Sequence, residues 1–253
     1  MKSAAGFSHR VSRQNLNSLM PNDYFADLHI HSCLSPCGDN DMTPADICGM
    51  AKLKGLEMIA VTDHNATANL PYVQKAADFY DLLLIPGIEL TTREEVHLLG
   101  YFPDVETAVA FGEFLKPHMP KGKNKPDFFG HQWVMNEDGE VLREEETLLI
   151  GASNLSLKAA AQSIREFGGV PVPAHINRGS NGVLINLGFI PEDIGFTAVE
   201  VWRALPCSHS AQAGRVVLHS SDAHYLGDIL EPEIKVPLPE RSVRAFLDYI
   251  SGH

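Results

Sequence analysis

Short apolar runs typical of buried strands alternate with helix-like stretches from Tyr24 to the end of the chain. Repeated strand-then-helix units favour parallel strands with the helices packed outside them. With about seven such units, a closed or nearly closed barrel is the most economical arrangement. We therefore predict an α/β barrel, and we expect its chemistry at the carboxyl ends of the strands.

Local signals place the individual elements. Thr43 can cap a helix that has Pro44 at its first position and Asp46 in its first turn, and Gly55 can end it. We predict further helices at 71–80, 104–115, 156–167 and 240–250. We predict strands at 24–30, 56–61, 82–85, 96–102, 169–174, 196–202 and 215–219.

The length of 253 residues suits one barrel-sized domain. We assign residues 23–253 to this domain and residues 1–22 to a polar extension. The segment from about 116 to 151 breaks the alternation, because a basic, proline-rich loop precedes a hairpin with its turn at 136–139. We interpret it as an insertion. Its four lysines are typical of a solvated loop, and a lid over a substrate mouth is the alternative.

The chain carries 20 basic against 32 acidic residues, a net charge of −12. Binding to a nucleic-acid backbone depends on basic surface, so we expect no long nucleic acid as a partner. The sequence contains neither a membrane-length apolar run nor a secretory signal. Its four cysteines are typical of reduced thiols rather than of a disulfide scaffold. We expect a cytoplasmic protein without a membrane partner, and the sequence does not indicate its oligomeric state.

The stretch Asp27-Leu-His29-Ile-His31 ends the first predicted strand. Residues i and i+2 of a strand point to the same side, so the two imidazoles can converge on one point. Two neutral imidazoles arranged in this way are typical metal ligands, although a solvated pair on a strand is a common alternative.

Residues of the same kind follow almost every predicted strand. The set is His29, His31, Asp63, His64, Glu89, His97, His175, Asp222 and His224. Imidazole and carboxylate donors without a thiolate suit Zn, Mn or Fe. These donors are too many for one ion, so we predict two or three divalent ions, with Glu89 free to bridge two of them. The alternative is a set of unrelated structural histidines.

The chain resembles PHP domains (polymerase and histidinol phosphatase) in six ordered motifs between about residues 24 and 225. The motifs are Asp27-Leu-His-Ile-His31, Thr62-Asp-His64, Pro86-Gly-Ile-Glu89, Glu95-Val-His97, Pro173-Ala-His175 and Ser221-Asp-Ala-His224. The resemblance implies a distorted, TIM-like (β/α)7 barrel, here with the hairpin-containing insertion, that holds up to three metal ions. It also implies phosphoesterase activity in stand-alone members.

Carried over position by position, the resemblance implies three metal positions. His29, His31, Glu89 and Asp222 would hold the first ion; the bridging Glu89, His97 and His175 the second; and His64 and His224 the third. Asp27 and Asp63 would orient the histidine ligands through hydrogen bonds.

One position departs from the family pattern. PHP domains commonly place an Asp five residues after the second histidine of the opening motif, as a ligand of the third ion, and here that position is Pro36. Asp39 can take the role after a longer excursion of the loop, and Asp41 is a weaker candidate. The alternatives are that Asp39 is a turn residue bonded to its own backbone, or that the third ion is weakly bound or absent.

The resemblance and the donor set together lead us to expect the hydrolysis of small phosphate esters. Hydroxide generated on one ion would attack phosphorus in line, and the neighbouring ions would neutralise charge on the phosphate oxygens. His64, Asp222 and His224 are the candidate catalytic residues, and protonation of the leaving oxygen is a role for one of them.

Substrate phosphate oxygens also need donors from the protein. Arg93 and Arg178 follow Glu89 and His175 in loops expected at the barrel mouth, and they are the candidate substrate-binding residues. Two other functions are open: metal-dependent hydrolysis of an amide or imine C–N bond, and a non-catalytic role as a metal-binding regulatory module.

Overall fold

The computed structural model describes residues 21–252. Its strands are β1 (Asn22–Ile30), β2 (Met58–Val61), β3 (Leu83–Leu84), β4 (Gly87–Thr91), β5 (His97–Tyr101), β6 (Trp133–Met135), β7 (Val141–Glu144), β8 (Val170–Pro173), β9 (Ala198–Glu200), β10 (Val216–Leu218) and β11 (Lys235–Leu238). Its helices are α1 (Pro44–Leu53), α2 (Leu70–Phe79), α3 (Val105–Leu115), α4 (Pro126–Phe129), α5 (Leu157–Glu166), α6 (Val183–Asn186), α7 (His209–Gln212) and α8 (Val243–Ser251). Residues 1–20 of the predicted polar extension lie outside the described residues. Asn22, the last residue assigned to the extension, is the first residue of β1.

The predicted strands and long helices are confirmed, with ends that shift by a few residues. α1 begins as predicted, since the Thr43 side chain accepts a hydrogen bond from the Asp46 backbone N–H at 3.1 Å. The hairpin of the insertion is confirmed as β6 and β7. β4 and β11 were not predicted. β4 is buried along its whole length but carries Glu89 at its centre. In the sequence, Pro86 and Gly87 at its start are typical of a turn.

The hydrogen-bonding pattern confirms an α/β fold but only part of the predicted parallel arrangement. β1, β2 and β3 are parallel neighbours, as are β9 and β10. The prediction of parallel strands is wrong for β5 and β8, which pair antiparallel with each other. The unpredicted strands β4 and β11 also pair antiparallel, with β5 and β1 respectively. Because β5 follows β4 through a short turn, the chain reverses there without a crossover helix.

A closed (β/α)7 barrel is not confirmed, because the strands described here fall into four separate sheets. Two isolated parallel bridges lie between strand ends of different sheets, at Ile30 with Ala223 and at His64 with Glu89. Both bridges adjoin predicted metal ligands. The carboxyl ends of β1 and β2 are thus tied to the segment after β10 and to β4.

Apolar side chains fill the space between the strands and the helices. The larger core includes the buried faces of α1, α2, α3 and α5. A second cluster joins the strands to α8, where the rings of Tyr101 and Phe246 meet edge to face with centroids 5.3 Å apart. Among residues 21–252, no helix has the length and apolar character needed to cross a bilayer.

The insertion packs against the loop that follows β1. Val134 and Leu149 of the insertion form a small apolar cluster with Leu34 of that loop. Gly130 has a φ of 99° and lies so close to the Pro36 carbonyl that a Cβ would collide with it. The insertion therefore supports the loop that carries Leu34 and Pro36.

Candidate metal centre

The structure brings the predicted imidazoles and carboxylates together at one end of the strands. The potential ligand atoms form three groups, and within each group the atoms lie within 4.8 Å of one another. The groups are His29, His31, Glu89 and Asp222; His64, Glu89 and His97; and His31, His64 and His224. His175 joins this cluster as well, with its Nε2 3.2 Å from Glu89 Oε1 and 3.3 Å from His97 Nδ1.

Glu89 lies at the centre of the cluster and is fully buried. Its Oε1 lies 2.8 Å from His97 Nδ1, 3.2 Å from His175 Nε2 and 3.4 Å from His29 Nε2. Its Oε2 lies 3.0 Å from His64 Nδ1 and 3.4 Å from His31 Nε2. The two oxygens thus face different histidines, and Glu89 belongs to two of the three groups of potential ligand atoms.

Hydrogen bonds on the outer side of the rings set which nitrogen faces the centre. His29 Nδ1 lies 3.0 and 3.1 Å from the two oxygens of Glu200, and His31 Nδ1 lies 3.1 Å from Ser35 Oγ. His224 Nδ1 lies 2.7 Å from the Asp222 carbonyl oxygen. Since Nδ1–H donates in each case, Nε2 is the nitrogen that faces the centre, and it can bind an ion once it is unprotonated.

The spacing of the donor atoms suits bound divalent ions better than it suits direct contacts between the side chains. His29 Nε2 and His31 Nε2 lie 3.1 Å apart, so two lone pairs face each other unless a proton or a cation lies between them. His64 Nδ1 and Glu89 Oε2 are buried without a hydrogen-bond partner of good geometry. Nitrogen and oxygen donors of this kind suit Zn, Mn or Fe, and the cluster is therefore able to bind metal.

The electrostatics of the cluster favour cations. Burial opposes protonation of His31, but the Asp222 and Glu89 carboxylates raise the pKa of His31 to about 9. Burial opposes ionisation of Glu89, yet His97, His29 and His64 hold the pKa of Glu89 well below its usual value. Burial lowers the pKa of His97 to about 4. Metal ions that bind here would displace protons from His31 and its neighbours.

Asp27 and Asp63, which were expected to orient histidine ligands, instead accept hydrogen bonds from serines in the loops next to the ligands. Asp27 accepts hydrogen bonds from the backbone N–H and the hydroxyl of Ser221, at 3.0 and 2.6 Å, directly before Asp222. Asp63 accepts from the Ser35 hydroxyl at 2.7 Å, and Ser35 in turn contacts His31. Neither carboxylate lies in a hydrogen bond with a ligand imidazole among the described contacts.

Glu200 takes the orienting role, although it is not among the site residues predicted from the sequence. It is buried at the end of β9, contacts His29 Nδ1, and accepts a hydrogen bond from the His175 backbone N–H at 2.9 Å. Burial opposes ionisation of Glu200, but His29 and His175 lower its pKa. A carboxylate inside the otherwise apolar predicted strand at 196–202 was the available signal.

Replacing Glu200 by Gln is expected to weaken metal binding about 10- to 100-fold, because the His29 ring loses a charged acceptor that fixes its orientation. A titration with metal against a competing chelator measures this change. The control is Glu166→Gln on the exposed face of α5, where the carboxylate accepts only from Gln162. Unchanged affinity in the Glu200 variant would contradict the orienting role.

Asp39 is not in any of the three groups of ligand atoms. Its Oδ1 accepts a hydrogen bond from the Asp41 backbone N–H at 2.9 Å, which is the turn conformation considered as an alternative. Its own backbone N–H donates to the His224 carbonyl at 2.9 Å. In this structure, then, Asp39 supports His224 through the backbone.

The two candidate arginines lie in different places. Arg178 donates to Asp222 Oδ2 and lies over the Trp202 ring, 4.8 Å from its centroid. It lines a cavity of about 180 Å³ together with His64, Glu89 and His224. The Arg93 side chain is 66% exposed and lies 3.4 Å from Glu94. The structure does not bring Arg93 to the lining of this cavity.

The backbone of the cluster is strained at two residues that carry potential ligand atoms. His175 and Asp222 adopt positive φ values of 27° and 52°. Residues with a Cβ adopt this region rarely and at a cost of about 1–3 kcal/mol, and such residues cluster at functional sites. Here the two strained residues carry ligand atoms directed into the cluster.

Comparison with known proteins relates this geometry to a family. The PHP domain model matches residues 27–164, more than half of the chain. A 3′,5′-nucleoside bisphosphate phosphatase from Chromobacterium violaceum is 32% identical over 90 residues, which are 34% of this chain and 30% of that protein. The first curated relatives are matched over about half of their length or less.

Solved structures share the fold at low identity. The lesion-specific endonuclease PfuEndoQ from Pyrococcus furiosus superimposes with a TM-score of 0.67 at 18% identity, over 91% of this chain and 56% of that one. A protein from Bifidobacterium adolescentis named as a metal-dependent phosphoesterase gives a TM-score of 0.59 at 19% identity, over 86% of this chain and 92% of that one.

The expectation that excluded a long nucleic acid as a partner is wrong. Endonuclease Q, which shares this fold, has been solved with a 27-mer duplex substrate that carries an abasic lesion at the active site. Net charge sums the whole surface, whereas contact with a duplex depends on local groups. A net charge of −12 therefore does not exclude such a partner.

Proposed function

The chain belongs to the PHP domain family, and from this we propose that it is a metal-dependent phosphoesterase that hydrolyses small phosphate esters. The observation that carries the proposal is the shared Glu89 carboxylate, each oxygen of which faces imidazole nitrogens at 3.4 Å or less. A bridged pair of ions is a common device of enzymes that cleave phosphate esters. Divalent ions held here would activate water and neutralise charge on the phosphate oxygens.

The cavity beside the cluster supports a small phosphate ester as substrate. The cavity of about 180 Å³ is lined by the proposed catalytic residues His64, Asp222 and His224. It adjoins a wider cleft of about 890 Å³, and both are lined by Arg178, Asp222 and His224. We propose that a phosphoryl group occupies the smaller cavity and that the rest of the ester extends into the cleft.

Phosphate release is the direct test of this function. Chelator-treated protein, resupplied with Mn, Zn or Fe, is incubated with phosphate monoesters, nucleoside bisphosphates, a duplex with an abasic site, and amides. We expect metal-dependent release of phosphate from at least one small ester. Ammonia or amine as the product would support C–N hydrolysis, and nicking of the duplex without turnover of small esters would replace the proposed substrate class. Bound metal without any turnover would favour a regulatory module.

Replacing Arg178 by Gln is expected to lower kcat/KM for a phosphate ester about 10- to 100-fold, mainly through KM. A hydrogen bond to a charged group is worth about 1.5–3 kcal/mol, and Gln removes the charge. Arg93→Gln is the matched control, since its guanidinium is exposed and paired with Glu94. Metal content is measured in parallel because Arg178 also contacts Asp222. Equal losses in both variants would contradict the assignment to Arg178.

A further inference from the structure

We propose that Cys37 supplies a thiolate ligand to the ion held by His31, His64 and His224. The proposal rests on the proposed function, because it adds a fourth donor to one of the groups of that metal centre. That group consists of three imidazoles and includes no carboxylate or thiolate. Cys37 lies in the loop that follows β1, next to Pro36.

The group of His31, His64 and His224 offers three donors to an ion. The ring centroids of His64 and His224 lie 4.4 and 4.3 Å from that of His31. Three ligands leave a tetrahedral ion one position short, and structural zinc sites are closed by a fourth. Asp39 does not fill the position in this structure, because its carboxylate bonds the backbone of Asp41.

Cys37 lies beside this group. It lines the small cavity together with His64 and His224, and it also lines the wider cleft with His224. His64, its neighbour in the lining of the small cavity, is only 4% exposed. His64 Nδ1 is buried without a hydrogen-bond partner of good geometry. The thiol lies outside the group of three imidazoles, so ligation requires its side chain to turn toward His31 and His224.

The loop around Cys37 is held in place on both sides. Pro36 packs against Gly130 of the insertion. Gly38 donates its backbone N–H to the Ser35 carbonyl at 2.9 Å, and Asp39 donates to the His224 carbonyl at 2.9 Å. Because the second bond ties the loop to a member of the group, the thiol is kept close to the proposed ion.

A thiolate among imidazoles changes which ion the position prefers. Thiolates favour Zn and related ions over Mn, which prefers oxygen donors. The other cysteines are placed differently: Cys33 and Cys48 are fully buried in the core, and burial raises the pKa of each thiol to about 12. Cys207 is only partly buried, as Cys37 is, and it is the matched control.

The test follows the thiolate by spectroscopy and counts the bound ions. The full-length protein is stripped with a chelator and titrated with Co²⁺, which shows a thiolate-to-metal charge-transfer band in the near ultraviolet when a cysteine binds it. Wild type and Cys207→Ser should show the band. Cys37→Ser should lack it and bind one ion fewer by elemental analysis. Cys37→Asp should lack the band and keep the ion, which shows that the variant folds.

Absence of the band in wild type, or its persistence in Cys37→Ser, would overturn the proposal. The outcome is separable from that of the proposed function, because phosphate release is assayed with Mn in the same preparations. A band without turnover of any ester would leave Cys37 as a ligand and reject the phosphoesterase. Turnover of an ester without a band would support the phosphoesterase and reject Cys37 as a ligand.

Discussion

A Glu89→Gln variant is expected to lose two bound ions and to release phosphate about 10³-fold more slowly than wild type, or slower still. Glu89 belongs to two groups of ligand atoms, so one substitution impairs both. Metal ions contribute several kcal/mol to the stabilisation of the transition state, and each step of about 1.4 kcal/mol is worth a factor of ten. The measurements are elemental analysis of the purified variant and its rate of phosphate release.

Two further variants show whether the loss of metal in Glu89→Gln arises because Glu89 is shared between two groups. His97→Ala removes a donor from one of these groups and should cost one ion. Glu113→Gln, an exposed carboxylate paired with Lys116, should cost none. If Glu89→Gln loses no more metal than His97→Ala, the bridging role of Glu89 is refuted.

A His31→Ala variant should likewise abolish most of the activity, with a fall of about 10³-fold in phosphate release. His31 belongs both to the group with Glu89 and Asp222 and to the group with His64 and His224. Its removal should therefore release the ions of these two groups and spare the ion beside His97 and His175. Metal content and activity are again the measurements.

The control for His31→Ala is His131→Ala, an imidazole of the insertion that is 41% exposed and paired with Glu144. It should retain full metal content and full activity. Wild-type turnover by His31→Ala at an unchanged metal content would mean that His31 is a structural histidine, and the first and third groups would have to be withdrawn.

Much of the fold could be predicted because its signals are local. The start of α1 depends on Thr43, Pro44 and Asp46, which lie within four consecutive residues. The strands with continuous apolar runs were found in the same way. β4 was missed because Glu89 interrupts its apolar pattern, and a buried carboxylate becomes intelligible only beside the five histidines that face it.

The candidate site was predictable in composition but not in arrangement. Histidines and carboxylates at strand ends identified the cluster, since each lies next to a strand signal. The roles of neighbouring residues were harder to predict: Asp27 and Asp63 hold loops, Glu200 orients His29, and Arg178 but not Arg93 lines the cavity. These assignments depend on contacts between residues that are far apart in the chain.

The sequence by itself determined the α/β alternation and the residue types available to bind metal, because both are written in neighbouring residues. Only the tertiary structure decided that β4 and β8 pair antiparallel with β5, that one carboxylate is shared between groups, and that Cys37 and His64 line the same cavity. The physical reason is that strand direction and donor distances are set by packing across the whole molecule. His29 and Glu200, which are 171 residues apart, come within 3.0 Å only when the core has formed.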